Sequence, residues 1–336
     1  MIDLSQLKLA FLAGTLGQGG AERQLFYILQ TLAHLGAEVR LFCLTKDEFW
    51  EERIQNLGIP VTWIGQQEYR IIRLYRLINE LRRDKPIILQ SQHSFTDLYV
   101  TAAARFLGIR EIGAIRSDGL KDFSTSGSIL GALSLRMTRL LAVNSHAACT
   151  RLLNAGITES KLHFLPNVLD TTLFTPPEHE RTNQKFVVLG VGSLSKAKRF
   201  DRFLRVVAAL QLLSPIPVES VIVGEGVMLN TLKNYAASLG LSNDTVRFQG
   251  VLDDVIPIYH HANVLLHTAD WEGTPNVILE AMACGIPVVS TNVGDIPRIV
   301  QHGETGFLSH PHEEDLLIEY ILKIINNQSL SVQMQE

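Results

Sequence analysis

Short apolar runs alternate with amphipathic segments along most of the chain. Residues 8–14, KLAFLAG, predict a buried strand, and residues 21–36 carry apolar positions at helical spacing and end in glycine. Further strands are predicted at 38–45, 61–64, 86–92 and 140–145. This strand–helix alternation predicts a parallel sheet covered by helices on both faces.

The alternation stops at residues 166–184, where three prolines and polar clusters predict a linker. It restarts with predicted strands at 186–194, 218–226, 246–250, 262–268 and 287–291. The predicted fold class is therefore α/β, with two doubly wound, Rossmann-like parallel-sheet domains, residues 1–165 and 185–325, facing each other across a cleft. Residues 326–336 are expected to be a short tail without a packed helix, either of a short variant or of a truncated product.

Composition narrows the classes of function. A chain of 336 residues that is 46% hydrophobic and 19% charged can bury two cores, and no apolar run reaches the ~20 residues of a membrane span. The N-terminus lacks a secretory pattern and the three cysteines are scattered, so we expect a cytoplasmic protein with reduced thiols. Residues 1–165 carry a net charge of +4 and the remainder −8. The acidic second half argues against nucleic-acid binding.

A glycine-rich turn, GTLGQGGAER (14–23), follows the first predicted strand. Glycines let the backbone approach a ligand closely, and the amides at a helix N-terminus attract anions. Two interpretations stay open: a phosphate site, or glycines that only make the turn. The spacing is not that of a dinucleotide fingerprint, and the Gly-Lys-Ser/Thr of a P-loop is absent, so a P-loop NTPase is excluded.

A second strand-to-helix junction, VGSLSKAKRFD (191–201), carries three cations on one loop. A well-placed pair of charges is worth about 4 kcal/mol at an effective dielectric of ~20. We expect one of Lys196, Lys198 and Arg199 to neutralise a diphosphate, the others being solvated loop charges. Gly224 belongs to a third turn, GEG, after another predicted strand.

The stretch DWEGTPNVILEAMACGIPVVS (270–290) predicts a helix with Thr274 as N-cap, Pro275 at the first helical position and Gly285 at its end. The first-turn amides then form a site for an anion or a hydroxyl group.

Glu280 lies inside the apolar part of this helix. An ionised carboxylate there needs hydrogen-bond donors, or its pKa shifts until it is neutral. Sugar hydroxyls and a neighbouring Lys or Arg are the two candidate donors.

Taken in order, these motifs resemble those of retaining glycosyltransferases of the GT-B fold, specifically the nucleotide-sugar-dependent family 4. The resemblance runs from about residue 8 to about residue 320. It is carried by GQGGAERQ (17–24), AVNS (142–145), PNVLDTTLF (166–174), VGSLSKAKRFD (191–201), VIVGEG (221–226), VRFQG (246–250), DWEGTPNVILEAMACGIPVVST (270–291) and ETGFL (304–308). Each motif alone is weak, but the ordered set is specific.

The resemblance implies roles for individual residues. Three would be catalytic: Glu272 at the transferring sugar, Lys198 on the diphosphate, and His93, which resembles a histidine of the N-terminal domain that meets the donor sugar or the acceptor. Glu280 would accept hydrogen bonds from ribose hydroxyls. The donor-binding residues implied are Gly19, Gly20, Ser193, Lys196, Arg199, Gly224, Gly273, Thr274, Pro275, Asn276, Val277 and Glu280.

The activity implied is transfer of a sugar, with retention, from a nucleotide diphospho-sugar to a glycan or lipid-linked glycan, in cell-surface polysaccharide or glycoconjugate biosynthesis. No cofactor and no metal are expected, because lysine and backbone amides would carry the charge. Ser193 stands where the family usually has Arg, and Arg298 where Glu is common. The alternatives are a GT-B epimerase, a phosphorylase, or a non-catalytic sugar-nucleotide-binding protein.

Residues 68–85 predict a basic amphipathic helix. It either rests on anionic lipid at the inner face of the plasma membrane, which would bring a lipid-linked acceptor to the cleft, or is a solvent-exposed outer helix. Its basic residues are Arg70, Arg73, Arg76, Arg82, Arg83 and Lys85.

Overall fold

A computed structural model describes residues 4–65, 68–117, 128–178 and 185–334. The chain forms two compact units, Met1–Val168 and Leu169–Glu336. The division between them falls within the segment predicted to be a linker, of which residues 179–184 lie outside the described residues.

The first unit is built on a seven-stranded sheet whose neighbouring strands all pair in parallel, in the order β3-β2-β1-β4-β5-β6-β7. Its strands are β1 Lys8–Ala13, β2 Glu38–Cys43, β3 Val61–Trp63, β4 Ile88–Ser91, β5 Arg110–Ile115, β6 Leu140–Val143 and β7 Leu162–Phe164. The direction of the strand order reverses between β1 and β4, which is where ligands bind in such sheets, at the carboxyl ends of the strands.

Helices cover both faces of this sheet. The α-helices are Gly20–His34, Phe49–Gln55, Arg70–Arg83, Asp97–Leu107, Ser128–Met137 and His146–Asn154, and 3-10 turns lie at Ser94–Thr96 and Glu159–Lys161. Successive residues of β1 face opposite cores: Phe11 shares one with Leu25, whereas Leu12 shares the other with Leu77. This period of two buries both faces, as the continuous apolar run predicts.

The second unit contains a six-stranded parallel sheet in the order β10-β9-β8-β11-β12-β13. Its strands are β8 Phe186–Val191, β9 Val218–Val223, β10 Val246–Gly250, β11 Val264–His267, β12 Val288–Thr291 and β13 Gly306–Ser309. Its helices are Phe200–Leu213, Leu229–Ser238, Ile256–His261, Asn276–Ala283, Ile296–Ile299, Glu314–Asn326 and Gln328–Gln333, with a 3-10 turn at Lys196–Lys198. Val188 and Leu189 enter opposite cores. The predicted pair of α/β parallel-sheet domains is confirmed.

The C-terminal segment differs from the prediction. Residues 326–336 were expected to lack a packed helix, but Gln328–Gln333 is helical, and Met334 is buried in the core of the second unit. Asn327 caps this helix, since its side-chain oxygen accepts a hydrogen bond of 3.1 Å from the Leu330 amide. The polar sequence hid the helix because only Met334 and Leu330 contact the core. Residues 335–336 lie outside the described residues.

Among the residues that the structure describes, no helix has the length and apolar character needed to span a bilayer.

Candidate functional site

Two glycine-containing loops lie in backbone contact at the carboxyl ends of β8 and β9. The amide of Gly192 donates to the Val223 carbonyl at 3.0 Å, and the amide of Leu194 donates to the Glu225 carbonyl at 2.8 Å. Gly224 has a φ of +134°, and a Cβ at this position would lie 2.0 Å from the Gly192 carbonyl oxygen. Glycine at 224 is therefore required by the contact between the two loops.

Lys198 ends the 3-10 turn that follows β8. Thr268, directly after β11, fixes this turn, because its hydroxyl donates to the carbonyls of Lys198 and Arg199, both at 3.0 Å. The Asp270 amide also donates to the Ala197 carbonyl at 2.9 Å. The loop after β8 and the loop after β11 are thus held together.

This arrangement brings the Lys198 ammonium into an ion pair with the Glu272 carboxylate. His267, the last residue of β11, is buried, and its Nε2 lies 3.0 Å from the same carboxylate oxygen. The geometry of this contact is not that of a hydrogen bond, and His267 Nε2 has no hydrogen-bond partner among the described residues. The sequence predicts Lys198 and Glu272 as site residues, whereas nothing in the sequence pattern points to His267.

The charges in this cluster are set by burial and by Lys198. Burial raises the pKa of Glu272, but the nearby positive charge of Lys198 and the contact with His267 more than compensate, and the pKa falls to about 2. Burial lowers the pKa of His267 below its ordinary value, so its imidazole is neutral at pH 7. The cluster offers one cation for an oxyanion and one ionised carboxylate for a hydroxyl group.

Arg199 is held in a network of arginines and carboxylates. Its backbone is left-handed, with φ of 52°, and its guanidinium bonds Asp201 at 2.9 Å through two nitrogens and Asp270 at 2.9 and 3.2 Å. These hydrogen bonds, those to Asp201 first, raise the pKa of Arg199 above its usual range. The same carboxylates pair with Arg202 and Arg205. Arg199 therefore links the Lys198 turn to the Asp270 loop, and its predicted contact with the donor stays a prediction.

The helix Asn276–Ala283 begins one residue later than the sequence predicts. Pro275 is its N-cap, with φ of −76° and an extended ψ of 119°, and the Pro275 carbonyl accepts the first intrahelical bond, from the Ile278 amide at 3.3 Å. The predictions of Thr274 as N-cap and Pro275 as first helical residue are therefore wrong. Gly285, with φ of +60°, follows the C-cap as predicted.

Glu280 is buried in this helix, only 3% exposed. The hydroxyl of Tyr259, itself fully buried, donates to Glu280 Oε2 at 2.8 Å. Tyr259 belongs to the short helix Ile256–His261, and sequence reasoning did not find it. A neutral phenol is thus one of the donors that a buried carboxylate at this position needs.

The turn that carries Glu272 and Gly273 is fixed by the loop after β12. Gly294 has φ of +59°, and a Cβ there would lie 2.5 and 2.6 Å from the carbonyl oxygens of Glu272 and Gly273. The Asp295 amide also donates to the Gly273 carbonyl at 3.0 Å. Only glycine at 294 permits this close approach.

In the first unit, His93 uses both ring nitrogens. The Gly14 amide donates to Nδ1 at 3.1 Å, and Nε2 lies 3.1 Å from Glu22 Oε1. Because Nδ1 accepts, the proton of the neutral ring is on Nε2, which donates to Glu22. Phe95 stacks on the imidazole with centroids 5.2 Å apart. Glu22, a buried residue in the first turn of the helix Gly20–His34, is a third residue that sequence reasoning missed, after His267 and Tyr259.

The remaining predicted residues lie in the same loops. Gly19 precedes the helix that Gly20 begins, and Glu22 Oε2 occupies the space next to its Cα. Ser193 is exposed and lies with its Oγ 3.3 Å from Ser195 Oγ, and Lys196 is also exposed. Asn276 and Val277 form the first turn of their helix. Of the predicted residues, the structure thus brings together Lys198 and Glu272 in the second unit, and in the first unit Gly19 and His93 both lie next to Glu22.

No group of three or more His, Cys, Asp or Glu side chains suited to a metal ion occurs in the described ranges. The expectation of a metal-independent site stays a prediction.

Two family models match the chain. The model described as Glycosyltransferase Family 4 matches residues 18–173, and the model described as Glycosyl transferases group 1 matches residues 173–336. The two matches together run from residue 18 to the last residue of the sequence.

Individual relatives are distant. The N-acetyl-alpha-D-glucosaminyl L-malate synthase of Bacillus anthracis is 26% identical over 159 residues, which are 47% of this chain and 41% of that protein, so the match spans less than half of either. The lipopolysaccharide core biosynthesis glycosyltransferase LpsE of Rhizobium meliloti is 24% identical over 327 residues, covering 95% of this chain and 89% of LpsE.

Solved structures share the fold. The crystal structure of Anabaena Alr3699/HepE in complex with UDP-glucose superposes with a TM-score of 0.87 at 22% identity, covering 98% of this chain and 93% of that one. At this identity the likeness concerns the fold alone.

Proposed function

This chain belongs to glycosyltransferase family 4 and has the GT-B fold, and we propose that it transfers a sugar, with retention at the anomeric carbon and without a metal, from a nucleotide diphospho-sugar to a glycan or lipid-linked glycan. The single observation that carries the proposal is the ion pair of Lys198 with Glu272 at the carboxyl ends of β8 and β11. It joins a cation suited to a diphosphate and a carboxylate suited to sugar hydroxyls within one site.

Lys198 binds the diphosphate of the donor. As the bond from the sugar C1 to the diphosphate oxygen breaks, negative charge grows on the leaving phosphate, and an ammonium held beside it stabilises the transition state. The turn that carries Lys198 is anchored by Thr268, so the ammonium is positioned before the donor arrives. Loss of one such charge-stabilising group lowers turnover on the order of a hundredfold.

Glu272 accepts hydrogen bonds from hydroxyls of the transferring sugar. In the ion pair with Lys198 the pKa of Glu272 is about 2, so its carboxylate is ionised when the donor arrives. Neutral His267, buried beside it, adds no competing charge. The amides at Gly273 and in the first turn of Asn276–Ala283 point at the same donor.

Glu280 accepts hydrogen bonds from the ribose hydroxyls of the nucleotide. The Tyr259 hydroxyl, 2.8 Å from Oε2, orients this carboxylate in its buried position. Gly19 and Gly20 approach the donor phosphates from the first unit, and Ser193, Lys196 and Gly224 line the donor loops.

His93 contacts the transferred sugar or the acceptor near the reacting carbon. When the sugar binds, His93 Nε2 donates to a sugar hydroxyl in place of Glu22. The Gly14 amide continues to donate to Nδ1. The acceptor attacks C1 on the face from which the diphosphate leaves, and the leaving phosphate takes up the acceptor proton. In this mechanism Glu272 and Glu280 bind the donor and are not the acid and nucleophile of a glycosidase.

The acceptor is part of a cell-surface polysaccharide or glycoconjugate, a proposal that the name of LpsE supports. The helix Arg70–Arg83 exposes apolar side chains among its arginines: Tyr69 directly before it is 80% exposed, Ile71 70% and Tyr75 65%. Exposed apolar and aromatic side chains beside arginines favour binding to the surface of an anionic membrane. We therefore place the enzyme in the cytoplasm, in peripheral contact with the inner face of the plasma membrane.

Ser193 favours one other candidate, a non-catalytic protein that binds sugar nucleotides, because the arginine usual in the family is replaced by a neutral, exposed residue. Turnover separates the two. Transfer or hydrolysis of a donor by purified protein supports the enzyme, whereas binding of a donor without turnover supports the binding protein.

The experiment that tests the proposal is a thermal-shift screen against UDP-, GDP- and ADP-sugars, followed by detection of the released nucleoside diphosphate. UDP-glucose is the first donor to test, because HepE binds it. A donor at 100 times its dissociation constant adds about 2.7 kcal/mol to the free energy of unfolding. Lys198→Ala should lower turnover about a hundredfold, with Lys233→Ala, which changes an exposed lysine of the same unit, as the matched control. No shift with any donor would refute the proposal.

A further inference from the structure

Arg116 follows β5 directly, at the carboxyl edge of the sheet in the first unit. The register of β5 with β6, which pairs Ile115 with Val143, puts Arg116 next to Asn144. On the other side of β5 lies β4, followed by His93. Arg116 therefore lies at the edge where parallel sheets bind their ligands.

The Arg116 guanidinium is largely buried, and no carboxylate of the described residues forms an ion pair with it. Its Nε and Nη2 atoms are inaccessible to solvent, and neither has a hydrogen-bond partner in the described part of the chain. Burial lowers the pKa of this guanidinium to about 10, so it is still charged at pH 7. A buried charge without a partner destabilises a fold, and removing the three N–H donors of these two nitrogens from water adds to that cost.

The other end of β5 shows a contrasting arrangement. There the buried Glu111 carboxylate lies 3.8 Å from Arg105 Nε and 3.6 Å from Arg139 Nε, so these arginines offset a buried charge of the fold. Among the described residues, no buried carboxylate gives Arg116 a comparable function in folding. The unfavourable burial of the Arg116 charge is explained if a ligand supplies an anion that pairs with it.

We propose that Arg116 binds an oxyanion, a phosphate or carboxylate, carried by the acceptor. The guanidinium fork matches either group with two parallel hydrogen bonds, and these are among the strong hydrogen bonds in proteins. The assignment to the acceptor rests on the proposed function and on the position of Arg116 in the unit that does not contain Lys198. The donor diphosphate is the other source of the same chemistry.

Inorganic phosphate is a suitable probe, used with the full chain in thermal-shift measurements. The variants are Arg116→Met and, as matched control, Arg110→Met, which changes an exposed arginine at the opposite end of the same strand. Each is measured with and without phosphate, first without nucleotide and then in the presence of a saturating nucleoside diphosphate that occupies the Lys198 site.

We expect phosphate to raise the Tm of the wild type and of Arg110→Met, but not that of Arg116→Met. Without phosphate, Arg116→Met should melt above the wild type, because it removes a buried unpaired charge. The dissociation constant for phosphate should be at least about tenfold larger in this variant than in the wild type.

Three results overturn the assignment. A lower Tm of Arg116→Met with an unchanged response to phosphate would make the residue structural. A wild-type response that disappears once the nucleoside diphosphate is bound would assign the anion to the donor. No response of the wild type to phosphate, with or without nucleotide, would exclude the site. If no nucleoside diphosphate binds, the proposed function fails, while the response to phosphate alone still tests Arg116.

Discussion

Lys198 and Glu272, 74 positions apart in the chain, form an ion pair whose side chains are only 21% and 13% exposed. Two separate loops produce it, one after β8 and one after β11, joined by the hydroxyl of Thr268. Each charge is the partner of the other, so under the proposed function the donor diphosphate competes with Glu272 for Lys198. This exchange of partners leads to predictions for stability, binding and turnover.

Glu272 makes the stability of the second unit depend on pH. Its pKa falls from 4.5 to about 2 on folding, so the carboxylate stabilises the fold above about pH 4.5, and this contribution is lost as the pH falls towards 2. Glu272→Gln should therefore melt below the wild type at pH 6, with a difference that shrinks as the pH is lowered to 3. Thermal melts across this range measure it, and a difference independent of pH would contradict the assignment.

Tyr259 should stabilise both the fold and the proposed ribose site. Tyr259→Phe removes a buried donor to the Glu280 carboxylate, and we expect the free energy of unfolding to fall by about 2 kcal/mol. Urea denaturation measures the change, and calorimetry should show weaker nucleotide binding. Tyr235→Phe, in the same unit, is the control for loss of a phenol. Unchanged nucleotide affinity in the Tyr259 variant would contradict the proposal that Glu280 binds the nucleotide.

His93 should be neutral with its proton on Nε2. Because Gly14 donates to Nδ1, the nitrogen-15 spectrum of the histidine-labelled protein at pH 7.5 should show an unprotonated Nδ1 for this residue. Glu22→Gln should perturb the Nε2 signal and lower kcat more than it changes KM. Gln24→Ala, on the same helix, is the control. A proton on Nδ1 would show that the Gly14 hydrogen bond is absent.

The helix Arg70–Arg83 should bind anionic vesicles. Replacing both Ile71 and Tyr75 by Ser removes two exposed apolar side chains, and sedimentation with phosphatidylglycerol vesicles should recover less protein. Leu212→Ser, which changes a side chain that is 86% exposed in the second unit, should bind as the wild type does. Equal sedimentation of all three proteins would favour the alternative of a solvent-exposed outer helix.

Most of the strands could be read from the sequence because they are apolar runs, and the helices carry apolar positions at their own spacing. Strands β5, β7 and β13 were not predicted, because their sequences, REIGAI, LHF and GFLS, are short or interrupted by polar residues and glycine. The sequence singles out Lys198, Glu272 and Glu280 because their motifs lie on contiguous segments, and their roles in binding stay predictions. Tyr259 and His267 were missed because neither belongs to a motif, and their contacts with Glu280 and Glu272 arise only when separate segments pack.

Local rules also explain the errors. Proline is favoured at the first position of a helix, but Pro275 has an extended ψ and is the N-cap, so Thr274 lies one residue too early to cap the helix. The helix after Asn327 was missed because its sequence has little apolar periodicity, and its contact with the core depends on the preceding helix Glu314–Asn326.

The most direct test of the central claim is calorimetric comparison of a nucleoside diphosphate with its nucleoside, for the wild type and for Lys198→Ala. The account predicts that the variant binds the nucleoside as the wild type does but loses about tenfold to a hundredfold in affinity for the diphosphate, the range for one charge-assisted hydrogen bond. Lys233→Ala, which changes an exposed lysine of the same unit, should keep both affinities. Equal affinity of Lys198→Ala and the wild type for the diphosphate would contradict the claim that Lys198 binds the donor phosphates.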